Sequence, residues 1–230
     1  MRRSPAQLVS NASDALEKLR LVQSTQTTIG DAPLEITITT DEEKNTITIT
    51  DTGIGLTKVD MIDCLGTIAR SGSKNFVSEV SGADEASNII GKFGVGFYSS
   101  FMVGERVEVL SRSALEEEES NPANNWSSDG AGDFSIDAVD KADPTPRGTS
   151  VVIYLKDSEK EFAKEVKIKK ILQKYSNFVN FPVKLNGNLV NTMDAVWSLE
   201  PNKVDDETHT AFYKYLANAF DEPMYKLHYR

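Results

Sequence analysis

The 230-residue chain holds a single cysteine, Cys64. One thiol forms no internal disulfide, so a reducing compartment suits the chain better than secretion. Histidine is nearly as scarce, with only His209 and His228. Two distant histidines and one cysteine make no His/Cys metal cluster, so any expected metal is a hard cation on oxygen ligands, such as Mg²⁺. Positive charge is also short: 25 Lys and Arg against 35 Asp and Glu leave a net charge of −10. Binding to a phosphate backbone needs a basic footprint, so neither nucleic acid nor an anionic membrane surface is the expected partner. No apolar run approaches the ~20 residues that span a bilayer. Met1-Arg2-Arg3-Ser4-Pro5 lacks the apolar segment of a secretory signal. It runs almost directly into a helical pattern, as expected if the chain begins inside a longer protein or if its first residues are foreign to it.

What is present is an ordinary soluble composition, 39% hydrophobic and 26% charged, enough for a substantial core. Leu8, Ala12, Ala15, Leu16 and Leu19 recur at helical spacing and predict a helix over about 6–21. Alternating Ile with Thr or Glu over 34–40 and 46–50 predicts a β-hairpin. A short helix is expected at 58–65. Residues 66–91 are rich in Gly, Ser and Ala, a length that suits a lid or a disordered loop. An apolar helical run from Phe97 to Val103 follows, then strands at 106–112, 126–129, 132–139 and 149–155, with a solvated loop over 115–125. Residues 159–179 read as one amphipathic helix with Ile168, Ile171, Leu172 and Tyr175 on its apolar face. Asn186-Gly187 turns a hairpin between 182–185 and 188–190. A linker at 198–204 leads to a helix at 206–220. The domain expected over 1–197 is a two-layer α+β sandwich with an antiparallel-rich mixed sheet; residues 198–230 would be the linker and the start of another domain.

Three segments carry candidate chemistry. Gln7, Asn11, Asp14 and Lys18 are spaced to share one helix face beside the apolar stripe, where they would line a cleft or face solvent. Asn11 offers a carbonyl oxygen suited to Mg²⁺. Asp51 shares strand parity with Ile47 and Ile49, so the phase that buries them buries the carboxyl too. A buried carboxylate needs donors; an exocyclic amine on a ligand is one candidate, and a plain strand-to-turn Asp before glycine is the other. Finally, Gly91-Lys92-Phe93-Gly94-Val95-Gly96-Phe97 places glycines before a helix. It is neither the dinucleotide fingerprint nor a Walker motif, but N–H groups at such a helix start suit phosphate.

In this order, these elements resemble the ATP site of the gyrase, heat-shock chaperone, histidine kinase and mismatch-repair superfamily. Four blocks closely resemble the ninety-kilodalton heat-shock protein family: Ser10-Asn11-Ala12-Ser13-Asp14-Ala15-Leu16, Asp51-Thr52-Gly53-Ile54-Gly55, Leu65-Gly66-Thr67-Ile68-Ala69-Arg70-Ser71-Gly72 and Gly94-Val95-Gly96-Phe97-Tyr98-Ser99. The likeness runs from Leu8 to the end of the chain. Tyr175-Ser176-Asn177-Phe178-Val179, Leu185-Asn186-Gly187 and Leu227-His228-Tyr229 look most like the mitochondrial branch. The long charged linker of the cytosolic members is lacking after Pro182. Bacterial members lack that linker too.

The resemblance implies an ATP- or ADP-binding chaperone domain that handles client proteins, works as a homodimer in its full-length form and resides in the mitochondrial matrix. A bacterial cytoplasm or a plastid is the alternative. It also implies roles for particular residues. Asn11 would hold Mg²⁺, Asp51 would accept the adenine amino group, and Thr149 would help hold adenine through water. Gly55 and Leu56 would floor the base, with Leu56 where Met is more usual. Asp14, Ala15 and Lys18 would line the site from the helix. Arg70, Ser71 and Gly72, within the lid segment, would also bind the nucleotide. Gly94, Val95, Gly96 and Phe97 would cradle phosphate. Cys64 stands where the family pattern has a polar Asn.

Gln7 is the departure with the largest consequence. The family places its general-base glutamate four residues before the Asn; glutamine is isosteric but takes no proton, so ATP binding with little turnover is expected. Three other readings compete with a chaperone ATPase. A non-catalytic nucleotide sensor fits Gln7. A DNA-acting ATPase meets the −10 charge. A histidine kinase would need a phospho-acceptor histidine upstream of Asn11, and both histidines lie downstream.

Overall fold

The protein is represented by a computed structural model, which describes residues 4–25, 32–66, 96–115, 122–139, 147–191, 195–217 and 219–228. The chain divides into two compact units, Met1–Asn191 and Thr192–Arg230.

In the first unit α1 spans Ser4–Thr25. Then come β1 (Ile36–Asp41), β2 (Thr46–Asp51) and α2 (Lys58–Leu65). A 3₁₀ turn at Phe97–Ser99 leads into α3 (Ser100–Val103), followed by β3 (Gly104–Arg112), β4 (Asn124–Ser128), β5 (Ser135–Ala138) and β6 (Gly148–Leu155). The unit ends with α4 (Glu165–Tyr175), β7 (Val183–Leu185) and β8 (Asn188–Leu189). The strands form one eight-stranded sheet in the order β5-β4-β3-β6-β2-β1-β7-β8. Every neighbouring pair is antiparallel except β1 and β7, which run parallel. This is the mixed, antiparallel-rich α+β sheet expected from the sequence.

Period-two alternation decides which face is buried. Ile36, Ile38, Ile47, Ile49, Val107, Val109, Ile153 and Leu155 are buried on the sheet, and α1 covers them with Leu8, Val9, Ala12 and Leu16. Thr37, Thr39, Thr48 and Thr50 alternate with them and stay half-buried or exposed. Helix α2 starts with a reciprocal cap: the Thr57 hydroxyl accepts the Asp60 N–H, and the Asp60 carboxylate accepts the Thr57 N–H. Asn186 and Gly187 both take positive φ, 48° and 84°, the conformation a two-residue hairpin turn demands.

The helix expected over 159–179 is broken. Residues Asp157–Ala163 form a 3₁₀ segment, Lys164 is extended, and α4 begins only at Glu165. At ~100° per residue, an unbroken helix would set Phe162 about 180° from Ile171. Both are buried, and the break at Lys164 lets both reach the core. Tyr175, expected on the apolar face, is 41% exposed where α4 ends. The strand expected over 132–139 is confined to β5, and β4 begins at Asn124, inside the expected loop.

In the second unit α5 spans Asp206–Ala217, short of the expected end at 220. The Trp197 and Phe212 rings meet edge to face, with centroids 5.6 Å apart. Among the described residues, no helix is long and apolar enough to cross a membrane.

Candidate functional site

Helix α1 is the spine of the site. Near its start, Gln7 and Asn11 lie against the backbone of Gly96: a Cβ on Gly96 would fall 2.9 Å from Gln7 Cγ, 3.0 Å from Gln7 Nε2 and 3.3 Å from Asn11 Oδ1. A side chain at position 96 would have to push the exposed Gln7 side chain aside, and with glycine there the backbone meets both polar side chains. One turn further along, ~6 Å up the axis, Ala15 receives the Asp51–Gly55 turn. A Cβ on Gly53 would fall 2.6 Å from the Ala15 carbonyl carbon, and the Ile54 N–H donates to the Ala15 carbonyl at 3.1 Å. The two ends of the candidate site are therefore spaced by one helix.

The stripe itself is graded. Gln7 is exposed, Asn11 half-buried and Asp14 buried. Burial lowers the Lys18 ammonium from its ordinary value, opposed by Asp14, then Cys64 and Asp60. Lys18 thus draws α1 and the end of α2 into one electrostatic neighbourhood.

Asp51 ends β2 with 6% exposure. Its Oδ1 accepts the Gly53 N–H at 2.9 Å. Burial pushes its carboxyl up to about 7, against the backbone N–H groups of Gly53 and Thr149, which favour the ionised form. A carboxyl so placed is primed to ionise when a ligand brings it a further donor.

Glycines let the surrounding backbone close in. Gly55 has φ +69°, and a Cβ there would lie 2.0 Å from the Arg112 carbonyl oxygen; Gly148 has φ +110°, and a Cβ there would lie 2.1 Å from the Asp51 carbonyl oxygen. Gly148→Ala therefore combines backbone strain with a backbone collision. It should cost about 2 kcal/mol or more, read in a thermal melt as a fall of roughly 4–8 °C or more for a unit of this size.

A residue not singled out from the sequence completes this end. Ser111, fully buried on β3, accepts the Leu56 N–H at 2.9 Å, donates to the Gly148 carbonyl at 2.8 Å and meets the Thr149 hydroxyl at 2.9 Å. Its strand parity with Val107 and Val109 was the available signal, since it placed a hydroxyl on the buried face.

The segment between α2 and the 97–99 turn has its two flanks tied together. The Tyr98 hydroxyl donates to the Leu65 carbonyl at 2.9 Å. Phe97 is buried against Trp126, with ring centroids 5.5 Å apart. Arg70, Ser71, Gly72, Gly94 and Val95, with all the expected lid beyond Gly66, lie outside the described residues. Among the described residues no group of three or more His, Cys, Asp or Glu side chains could hold a metal. Mg²⁺ can still be held through a nucleotide: it takes one or two protein oxygens plus phosphates and water, and the Asn11 carbonyl oxygen beside Gly96 is of the right chemistry.

Comparison with known proteins covers nearly the whole chain. The chain is 48% identical to the mitochondrial heat shock protein 75 kDa of Rattus norvegicus over 225 residues, which is 97% of this chain and 31% of that protein. It is 44% identical over 226 residues to the chaperone protein HtpG of Desulfotalea psychrophila, 97% of this chain and 35% of that one. Identity is also 44% over 226 residues to the mitochondrial TNF receptor-associated protein 1 homolog of Dictyostelium discoideum, at 97% and 31% coverage. The chain thus spans about a third of the length of these relatives. Residues 4–143 match the model of the histidine kinase-, DNA gyrase B- and HSP90-like ATPases, a stretch that takes in α1, the Asp51 turn and Gly96, and the chain belongs to that family.

Proposed function

We propose that this chain is the ATP-binding domain of a molecular chaperone, and that it binds ATP or ADP with the adenine at Asp51 and the phosphates at Gly96. The observation that carries the reading is the spacing of the two ends along α1: a buried carboxyl in a glycine turn docked on Ala15, and a glycine loop end docked on Gln7 and Asn11. In this reading Asp51 accepts the adenine amino group, and Thr149 reaches the base through water. Gly55 and Leu56 floor the base, while Asp14, Ala15 and Lys18 wall it from the helix. Asn11 would hold Mg²⁺ through its carbonyl oxygen, and Gly94, Val95, Gly96 and Phe97 would cradle the phosphates. Residues 66–91, with Arg70, Ser71 and Gly72, form the lid. When bound, Mg²⁺ would neutralise phosphate charge; the chain's own groups would orient the nucleotide.

Relatives named as heat shock and chaperone proteins support a role on client proteins; a homodimeric full-length form, and an ATP-binding domain over 1–197 whose compact part ends at Asn191, are part of the same proposal. Relatives named as mitochondrial support the mitochondrion, within which the matrix is proposed; bacterial relatives of similar identity make a bacterial cytoplasm the competing location. The net charge of −10 favours chaperone over DNA-acting members of the family. A second reading, a nucleotide sensor that binds ATP without cleaving it, is favoured by Gln7. Calorimetric titration with Mg²⁺-ATP tests the site: saturable one-to-one binding is expected. An absence of heat at millimolar nucleotide, with the protein folded, would count against ATP as the ligand.

A further inference from the structure

We propose that Ser111 is a positioning residue that fixes the hydrogen-bonding sense of Thr149 and thereby the site's preference for an adenine edge over a 6-oxopurine edge. This rests on the reading that the base lies at Asp51. Asp51, Thr149 and Ser111 lie directly across from one another on β2, β6 and β3. Cross-strand partners share a sheet face, so the three side chains form a row. Ser111 has one proton and two lone pairs, and three partners claim them. The Leu56 N–H can only donate, so it takes one lone pair. The Gly148 carbonyl can only accept, so it takes the proton. What remains for Thr149 is the second lone pair, and the Thr149 hydroxyl must therefore donate to Ser111.

The Thr149 oxygen is then left as an acceptor. Ionised Asp51 beside it is an acceptor as well. A base edge that meets this row directly must bring a donor, and a bridging water must spend one of its two protons on Thr149, leaving it one proton fewer to offer the base. Adenine carries an amino donor at its six position beside an acceptor at N1, whereas hypoxanthine and guanine carry a carbonyl at six and their donor at N1; in adenine's pose their carbonyl would face the acceptors of this row. Sites built around a required donor discriminate strongly against analogues that lack it, because buried polar groups are left unpaired. Without Ser111, the Thr149 hydroxyl is free to turn and donate to a carbonyl.

The test compares ATP with inosine triphosphate, both with Mg²⁺, by calorimetry on the unaltered chain, Ser111→Ala, Ser111→Cys and Asp51→Asn. The preference for ATP should fall about tenfold or more in Ser111→Ala, with much of the change a gain by inosine triphosphate. A merely structural loss would weaken both nucleotides alike and leave the ratio where it was, which overturns the proposal. Ser111→Cys, near in size but with a weak donor and acceptor, should relax the ratio too, and it decides the matter if the alanine variant does not fold. Thr149→Val should relax the ratio by a similar factor, and adding Ser111→Ala to it should change little more. If Asp51→Asn leaves ATP affinity intact, the base does not lie at Asp51, and the reading of the site fails along with the proposal. If Asp51→Asn abolishes binding while the ratio holds in both Ser111 variants, the proposal alone fails.

Discussion

Replacing Gln7 with glutamate should raise ATP hydrolysis roughly a hundred- to ten-thousand-fold, the usual worth of a general base, measured as phosphate release at saturating Mg²⁺-ATP. Gln7 lies in the first turn of α1, exposed, with its Cγ and Nε2 pressed on Gly96 and with Asn11 Oδ1 beside the same glycine. A side chain there reaches Gly96, the end of the glycine loop proposed to hold phosphate. The amide can hold a water molecule, donating through Nε2 and accepting through Oε1, but it cannot take the proton that an attacking water must lose. Glutamate has the same length and shape and can. Because the change acts on the proton transfer and not on the base, ATP affinity should move by less than about tenfold, so the effect falls on kcat. The carboxylate also sits near the positive end of the helix dipole, which favours the variant's fold by a few tenths of a kcal/mol to about 1 kcal/mol. A rate that does not rise would mean that position 7 does not reach the attacking water, and the nucleotide-sensor reading would take over.

Much of this site could be read from the chain because local rules and the global fold agree there. Strand parity alone placed Asp51 with Ile47 and Ile49, and all three are buried. Helical spacing alone placed Gln7 and Asn11 one turn apart, and Gly96 meets both. Asn186-Gly187 announced its turn through the φ values it must adopt. The misses have a common cause, which is information held in partners distant in sequence. Lys164 breaks a strong helical pattern because Phe162 must face the same core as Ile171, and nothing within 159–179 states where that core is. Ser111 looked like one more polar residue in a strand; its role depends on Leu56, Gly148 and Thr149, from two other segments. Gly148 was unremarkable until β6 was set beside the end of β2, where its missing Cβ lets the Asp51 carbonyl approach.

Asp51→Asn should abolish measurable ATP binding while making the unliganded protein more stable at alkaline pH. The carboxyl titrates at about 7 in the folded chain against an ordinary 3.8. Between those values the folded state keeps a proton that the unfolded state has already lost, so stability falls as pH rises through that window and levels off above it. A shift of about three units corresponds to roughly 4 kcal/mol. Asparagine is neutral throughout and still offers Oδ1 to the Gly53 N–H. The variant should match the unaltered chain only below the ordinary carboxyl value of 3.8 and pull ahead steadily up to pH 8, by up to roughly 10 °C in Tm for a unit of this size. Ligand binding is linked in the opposite sense. An adenine amino group donates to the ionised carboxylate, so affinity for ATP should climb with pH toward 7, and each ATP bound below that pH should release up to one proton. Calorimetry in buffers of different ionisation heat reads that proton directly, and the Asn variant has none to release. If the two Tm profiles stayed parallel across pH 4–8, the Asp51 carboxyl would not be held protonated by burial, and its site would be stabilised for the charge before any nucleotide arrives. Divergent profiles with binding lost would mean that the site keeps an acid at a cost in stability which the nucleotide, on binding, relieves.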